Sequence, residues 1–148
     1  MKIDKIKLIR SCLEKEEKDL NNAINKIVIA RDESPIPTES RSDTSRIQAD
    51  KMIGELNIKK NFYKKLIYDL PVKIPDNTEK IELWSYVKLL KPDLQINIIL
   101  VPPGYGGREF NDVKLITVST PLGKALCGKR VNESITVNER GFLIKVIK

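Results

Sequence analysis

The 148 residues include no histidine and two cysteines, Cys12 and Cys127. A zinc site of the usual ligand set is therefore excluded, as are the Ser-His-Asp and Cys-His nucleophile arrangements. The groups left for chemistry are carboxylates and cations. Asp32, Glu33, Glu39 and Asp43 gather around Pro35 and Pro37, with Arg41 and Arg46 just beyond. Carboxylate oxygens are competent magnesium ligands, but acids at this density also serve to solvate a turn or cap a helix. The two arginines suit either a phosphate group or the neighbouring acids. Lys124, Lys129 and Arg130 form a second basic cluster, readable as a solvated face or as a contact for nucleic acid. The run Pro102-Pro103-Gly104-Tyr105-Gly106-Gly107 lacks the Lys-Ser/Thr and the helix of a phosphate loop, so it reads as a turn.

The elements that must position these groups fall into two halves. From Ile3 to Arg31 there is no proline or glycine, and Ile6, Leu13, Leu20 and Ile27 recur every seven residues, with Ile9, Ala23 and Ala30 as companions and Glu16 as the interruption. This is a narrow coiled-coil seam. Residues 32–44 break it with two prolines and small polar residues. Ser45 and Gln48 then fit a capping box, opening a second helix in which Ala49, Met52, Leu56, Tyr63, Leu66 and Leu70 keep heptad spacing, with Lys59 as the exception. Two such helices pack as an antiparallel hairpin, and seams this narrow favour that over a globular bundle. Pro71 and Pro75 end the second helix.

The second half reads as strands at Ile81–Val87, Ile96–Val101, Val113–Val118, Ser134–Val137 and Phe142–Ile147, the last two joined near Arg140-Gly141. Pro121 to Gly128 reads as one short helix, with Pro121 in its first turn and Gly128 as its stop. The expected fold is α+β: a helical hairpin over 1–72 with its tip at 32–44, then an antiparallel sheet domain over 76–148.

Net charge is +7, from 15 basic against 12 acidic residues in 1–70 and 12 against 8 in 71–148. A basic balance favours acidic partners, although the charge is well mixed rather than massed in one arm. No apolar run reaches membrane-spanning length and no signal-peptide pattern opens the chain. The expected location is cytoplasmic, with both cysteines reduced.

The segment Val118-Ser119-Thr120-Pro121-Leu122-Gly123-Lys124-Ala125-Leu126-Cys127-Gly128-Lys129-Arg130-Val131 resembles the signature of the GreA/GreB family of bacterial transcript-cleavage factors. In that family a strand leads into Ser-Pro-Leu-Gly-Arg/Lys-Ala-Leu-Leu-Gly-Lys, then a valine and a small acidic turn, here Asn132-Glu133. The sequence likeness is close over about 113–148; the order of hairpin and sheet domain extends it to the whole chain. The resemblance implies an FKBP-like second domain seated at the rim of the RNA polymerase secondary channel. The hairpin then reaches the active centre, among nascent RNA and DNA.

In typical members an acidic pair at the tip helps to hold a magnesium ion shared with the polymerase and stimulates cleavage of backtracked RNA. Two metal ions stabilise attacking and leaving oxygens in such hydrolysis, so the factor needs no cofactor of its own and is not itself an enzyme. Carried over, the candidate carboxylates are Glu39 and Asp43, with Arg41, Arg46, Lys124, Lys129 and Arg130 as candidate polymerase or nucleic-acid contacts. The tip departs from the family's Asp-x-x-Glu-Asn: if Glu39 matches the first acid, Ser42 falls at the second and Asp43 lies one residue late. That departure admits a Gre-like inhibitor that docks without supporting cleavage. A peptidyl-prolyl isomerase is an alternative of another class, but only Trp84, Tyr86, Tyr105, Phe110 and Phe142 could line its pocket. A coiled-coil RNA-binding module is disfavoured by the dispersed charge.

Overall fold

The computed structural model describes residues 4–33, 40–74 and 79–148; for 40–43 it describes the backbone only. The chain divides into two compact units, Ile9–Leu70 and a second made of Pro71–Lys148 with Met1–Leu8.

The first unit is the helical hairpin. Helix α1 spans Lys5–Asp32 and α2 spans Ser40–Tyr68, 28 and 29 residues, or about 40 Å each at ~1.5 Å per residue. Arg31 at the end of α1 donates to Asp50, the eleventh residue of α2, at 2.6 Å, which ties the two antiparallel helices together toward the tip. On α1, Leu13 and Ile24 are buried while Leu20 and Ile27 are half-buried; Ala30 is exposed. On α2 the inward positions are Ala49, Ile53, Leu56, Tyr63 and Leu66, and Leu70 just past its end is buried. Met52 is 51% exposed where it lines an open groove between the helices, and Ile53 beside it is half-buried. The expected capping box does not form an N-terminus: α2 is already helical at Ser40, which makes Ser45 its sixth residue. The tip is correspondingly shorter than 32–44, since Asp32 closes α1 and 40–44 belong to α2.

The second unit holds a six-stranded sheet and helix α3. The strands are β1 Tyr86–Lys91, β2 Leu94–Val101, β3 Arg108–Phe110, β4 Val113–Thr117, β5 Ser134–Val137 and β6 Arg140–Ile147, ordered β3-β4-β2-β1-β6-β5. Four pairings are antiparallel as expected, but β2 and β4 run parallel, from Asn97 opposite Val113 to Val101 opposite Thr117, so the sheet is mixed. The parallel pair exists because β3 intervenes and returns the chain in the direction of β2. One face carries the core: Val87, Leu89, Ile98, Leu100, Phe142 and Ile144 pack with Leu126 of α3, the side chains alternating along each strand. On the other face Tyr86, Ile99, Val101 and Leu115 are also buried.

Two boundaries differ from the sequence expectation for backbone reasons. Residues 81–85 form no strand, because Trp84 takes φ +71 in a turn closed by Ser85 N–H to the Glu82 carbonyl at 3.0 Å. The β5–β6 hairpin turns at Asn138-Glu139, both left-handed at φ +51 and +66, as a two-residue turn of the primed type requires. Gly141 lies inside β6, opposite Thr136.

Candidate functional site

Helix α3, Pro121–Leu126, is set by three local devices. Thr120 caps it: the Gly123 N–H donates to Thr120 Oγ1 at 3.1 Å, while the Thr120 hydroxyl donates to the Thr117 carbonyl at 2.8 Å. Pro121 occupies the first turn, where a missing N–H costs nothing. Gly123 must lack a side chain, since a Cβ there would overlap the Thr117 carbonyl oxygen and come within 3.0 Å of Val118 Cα. Gly128 then ends the segment at φ +83, its N–H donating to the Ile81 carbonyl at 2.7 Å, and Lys129 returns a carbonyl to Ile81 N–H at 2.8 Å. The residues that carry the signature therefore pin one end of β4 to α3 and to the segment before β1. They build a scaffold.

The cations of that scaffold stand on its outside. Lys124 on α3, Lys129 and Arg130 are all exposed. The Arg130 backbone N–H is held by Glu133 Oε2 at 2.7 Å, and Asn132 takes φ +71 between them, which fixes the small acidic turn after the helix. The Asn132 N–H donates to Ile144 at 2.8 Å and anchors this turn to β6.

Toward the tip of the hairpin unit a groove of about 370 Å³ opens between the helices. Ile27 and Ala49 line it, together with Lys26, Arg31, Arg46 and Gln48. Arg31 lies between two carboxylates, 2.6 Å from Asp50 and 3.1 Å from Asp32. Asp50 first and Asp32 second hold its guanidinium in the charged form and raise its pKa. Arg46 is half-buried along this groove. Arg31, Lys26 and Asp50 escaped the sequence reading, because Arg31 is next to last in α1 and Asp50 is eleventh in α2, so equal counting from the tip does not pair them.

Of the candidate acids, Glu39 lies outside the described residues. Asp43, like Arg41, belongs to the first turn of α2 by its backbone, and its side chain lies outside the described set. Asp32, on the other side of the tip, is engaged by Arg31. Among the described residues no group of three His, Cys, Asp or Glu could hold a metal ion, and no helix is long and apolar enough to cross a membrane. The aromatic residues of the sheet unit are dispersed. Trp84 and Tyr105, both outside the strands, pair edge to face at 5.4 Å, whereas the Phe142 ring on β6 lies 4.8 Å from the Lys91 ammonium.

No family model matches the chain, and no curated protein matches it. Among solved structures it is similar to GreA factor homolog 1 (Gfh1) of Thermus thermophilus, with 20% identity, 97% of this chain and 94% of that one covered, and a TM-score of 0.44. A structure of the transcription factor Gfh1 shares 17% identity over 95% of this chain and 94% of that one, with a TM-score of 0.43. Gfh1 of Thermus aquaticus shares 19% over 91% and 90%, also at 0.43.

Proposed function

We propose that this chain is a Gre-type regulator of transcript elongation that binds bacterial RNA polymerase in the cytoplasm. In this reading the sheet domain, FKBP-like in type, docks at the rim of the secondary channel and the hairpin enters it. Glu39 and Asp43 then add carboxylate oxygens to a magnesium ion held by the polymerase and stimulate hydrolysis of backtracked RNA. The observation that carries the reading is the signature segment 118–131, whose unusual residues each meet a steric or hydrogen-bonding demand in one folded corner. A run of a dozen residue types kept in order for such a corner is specific to its family, which residue composition alone never is.

The division of labour follows from the chemistry. Two helices of about 40 Å supply reach, and only the tip requires oxygen ligands. A magnesium ion keeps several waters and takes one or two protein carboxylates, so the factor borrows the metal and lends the acids. Arg41 and Arg46 near the tip, and Lys124, Lys129 and Arg130 on the sheet domain, are assigned to RNA phosphate and polymerase contacts.

A second reading keeps the docking and drops the cleavage. It is favoured by the position of Asp43, which lies on the helix α2 rather than in the connection, leaving Glu39 as the sole acid of 34–39. Stalled elongation complexes separate the two. RNA shortening by the wild-type chain that disappears in the Glu39→Ala, Asp43→Ala double variant supports cleavage; reduced synthesis without shortening assigns the chain to the inhibitors. Turnover of a proline-containing peptide by the full chain would point instead to an isomerase.

A further inference from the structure

The groove between the two hairpin helices is lined by charge of one sign. Lys26 and Arg31 of α1 and Arg46 of α2 border it, and among the described residues no carboxylate does. Basic and acidic residues are otherwise mixed along the chain, 27 against 20, so a recess bordered by cations alone attracts anions. Lys26 is exposed and enters no ion pair among the described residues. Arg31 gives Nε to Asp32 and Nη1 to Asp50, which orients the guanidinium and leaves Nη2 without a bond to any described residue. Those two acids offset much of its charge. Lys26 and Arg46 therefore supply the field, and Arg31 supplies a donor already fixed in place, so less side-chain freedom is lost when a ligand binds.

The same groove offers apolar surface. Ile27, Ala49 and Met52 line it beside the cations, Met52 with 51% of its area still exposed. A ligand that matches both parts carries phosphate on a flat, weakly polar body. Guanidinium groups fit phosphate oxygens in a fork, and a methionine adapts its shape to a ring laid against it. A volume of about 370 Å³ lies at the lower end of the ~300–1,000 Å³ of small-molecule sites and suits a single nucleotide. The groove is open on one side, so binding is weak.

We propose that this groove is a nucleotide site: Lys26, Arg31 and Arg46 hold the phosphates, and Ile27, Ala49 and Met52 seat the base and ribose. The site belongs to the hairpin alone and does not depend on docking to polymerase. Arg46 is also among the residues assigned to RNA phosphate, so an occupied groove withdraws it from RNA.

Isothermal titration of the free full-length chain with ADP tests this, with inorganic pyrophosphate, adenosine and a short single-stranded RNA as parallel titrants. The expected result is saturable one-to-one binding of ADP, with pyrophosphate and adenosine each at least fivefold weaker. Lys26→Glu, at an exposed position and so fold-neutral by circular dichroism, is expected to weaken ADP at least fivefold. Lys59→Glu makes the same charge change at an exposed position outside the groove and is expected to leave binding within twofold. Met52→Asn is expected to weaken ADP at least threefold and to leave pyrophosphate unchanged. No saturable binding of ADP overturns the proposal. Equal losses from Lys26→Glu and Lys59→Glu overturn it too, since the attraction is then diffuse charge. Pyrophosphate binding as tightly as ADP removes the nucleotide, and RNA binding more tightly than ADP gives the groove to a polymer instead.

Discussion

Gly123→Ala puts the scaffold argument to a quantitative test. A methyl group at this position overlaps the Thr117 carbonyl oxygen and approaches Thr117 C at 2.9 Å and Val118 Cα at 3.0 Å. All three obstacles are backbone, and the same carbonyl accepts the Thr120 hydroxyl at 2.8 Å, so neither side can yield alone. Relief moves α3 away from β4, which loosens Leu126 in the core and breaks the cap from Gly123 N–H to Thr120. Overpacking costs about 1–3 kcal/mol and loss of a cap about 0.5–2. Their sum, about 3 kcal/mol, corresponds to a fall in Tm of roughly 12–24 °C for a unit of this size. Trp84 is the only tryptophan and belongs to the sheet unit, so its fluorescence follows that unit on heating while far-UV circular dichroism follows the helices. Gly128→Ala is the internal comparison: its Cβ meets nothing within 4 Å, and only φ +83 penalises it, at about 1–2 kcal/mol. A Gly123→Ala protein that melts with the wild type, or above Gly128→Ala, would refute the reasoning.

Thr120→Ala removes both the cap and the bond to Thr117 and is expected to lower stability by about 0.5–2 kcal/mol, measured by urea unfolding on Trp84; Thr120→Ser restores most of it. Burial raises the Tyr86 phenol pKa. The neutral form is thus favoured in the folded state, and its contribution, complete below the unfolded value near ~10, is lost as pH rises beyond that. Wild type should therefore lose Tm relative to Tyr86→Phe between pH 9 and 11, checked by paired melts. Arg31→Gln should loosen the tip end of the hairpin, seen as faster amide exchange in α1 and α2 near Arg31 and Asp50, with the sheet unit unchanged. Equal exchange throughout would deny the tie a role.

The parts of the molecule legible in the sequence are those decided locally. Leu13, Leu20 and Ile27 reveal α1 because a seam repeats, and Pro121 to Gly128 reveals α3 because its cap, first-turn proline and left-handed stop all lie within nine residues. Where several residues compete, the reading slips. Ser40, Ser42, Asp43, Thr44 and Ser45 are all cap-forming types, and α2 is already helical at the first of them. Met52 and Ile53 are adjacent apolar residues, and heptad counting picked out Met52 alone although Ile53 is the more buried of the two. The parallel pairing of β2 with β4 depends on the three-residue β3, too short to leave a pattern, and Trp84 breaks an alternating run by a turn more usual for glycine. The candidate site divides the same way. Its scaffold was readable, because packing dictates those residues; the role proposed for Glu39 and Asp43 depends on a metal ion held by another molecule, which no local pattern in this sequence specifies.

The central claim is docking on RNA polymerase, and a pull-down with core enzyme addresses it most directly. Tagged full-length chain should retain core RNA polymerase from a purified mixture, and substitution of Lys124, Lys129 and Arg130 by glutamate should weaken retention without altering the melt of the sheet unit. Polymerase recovered no better than by bare resin, under conditions where the chain is folded, would contradict the account.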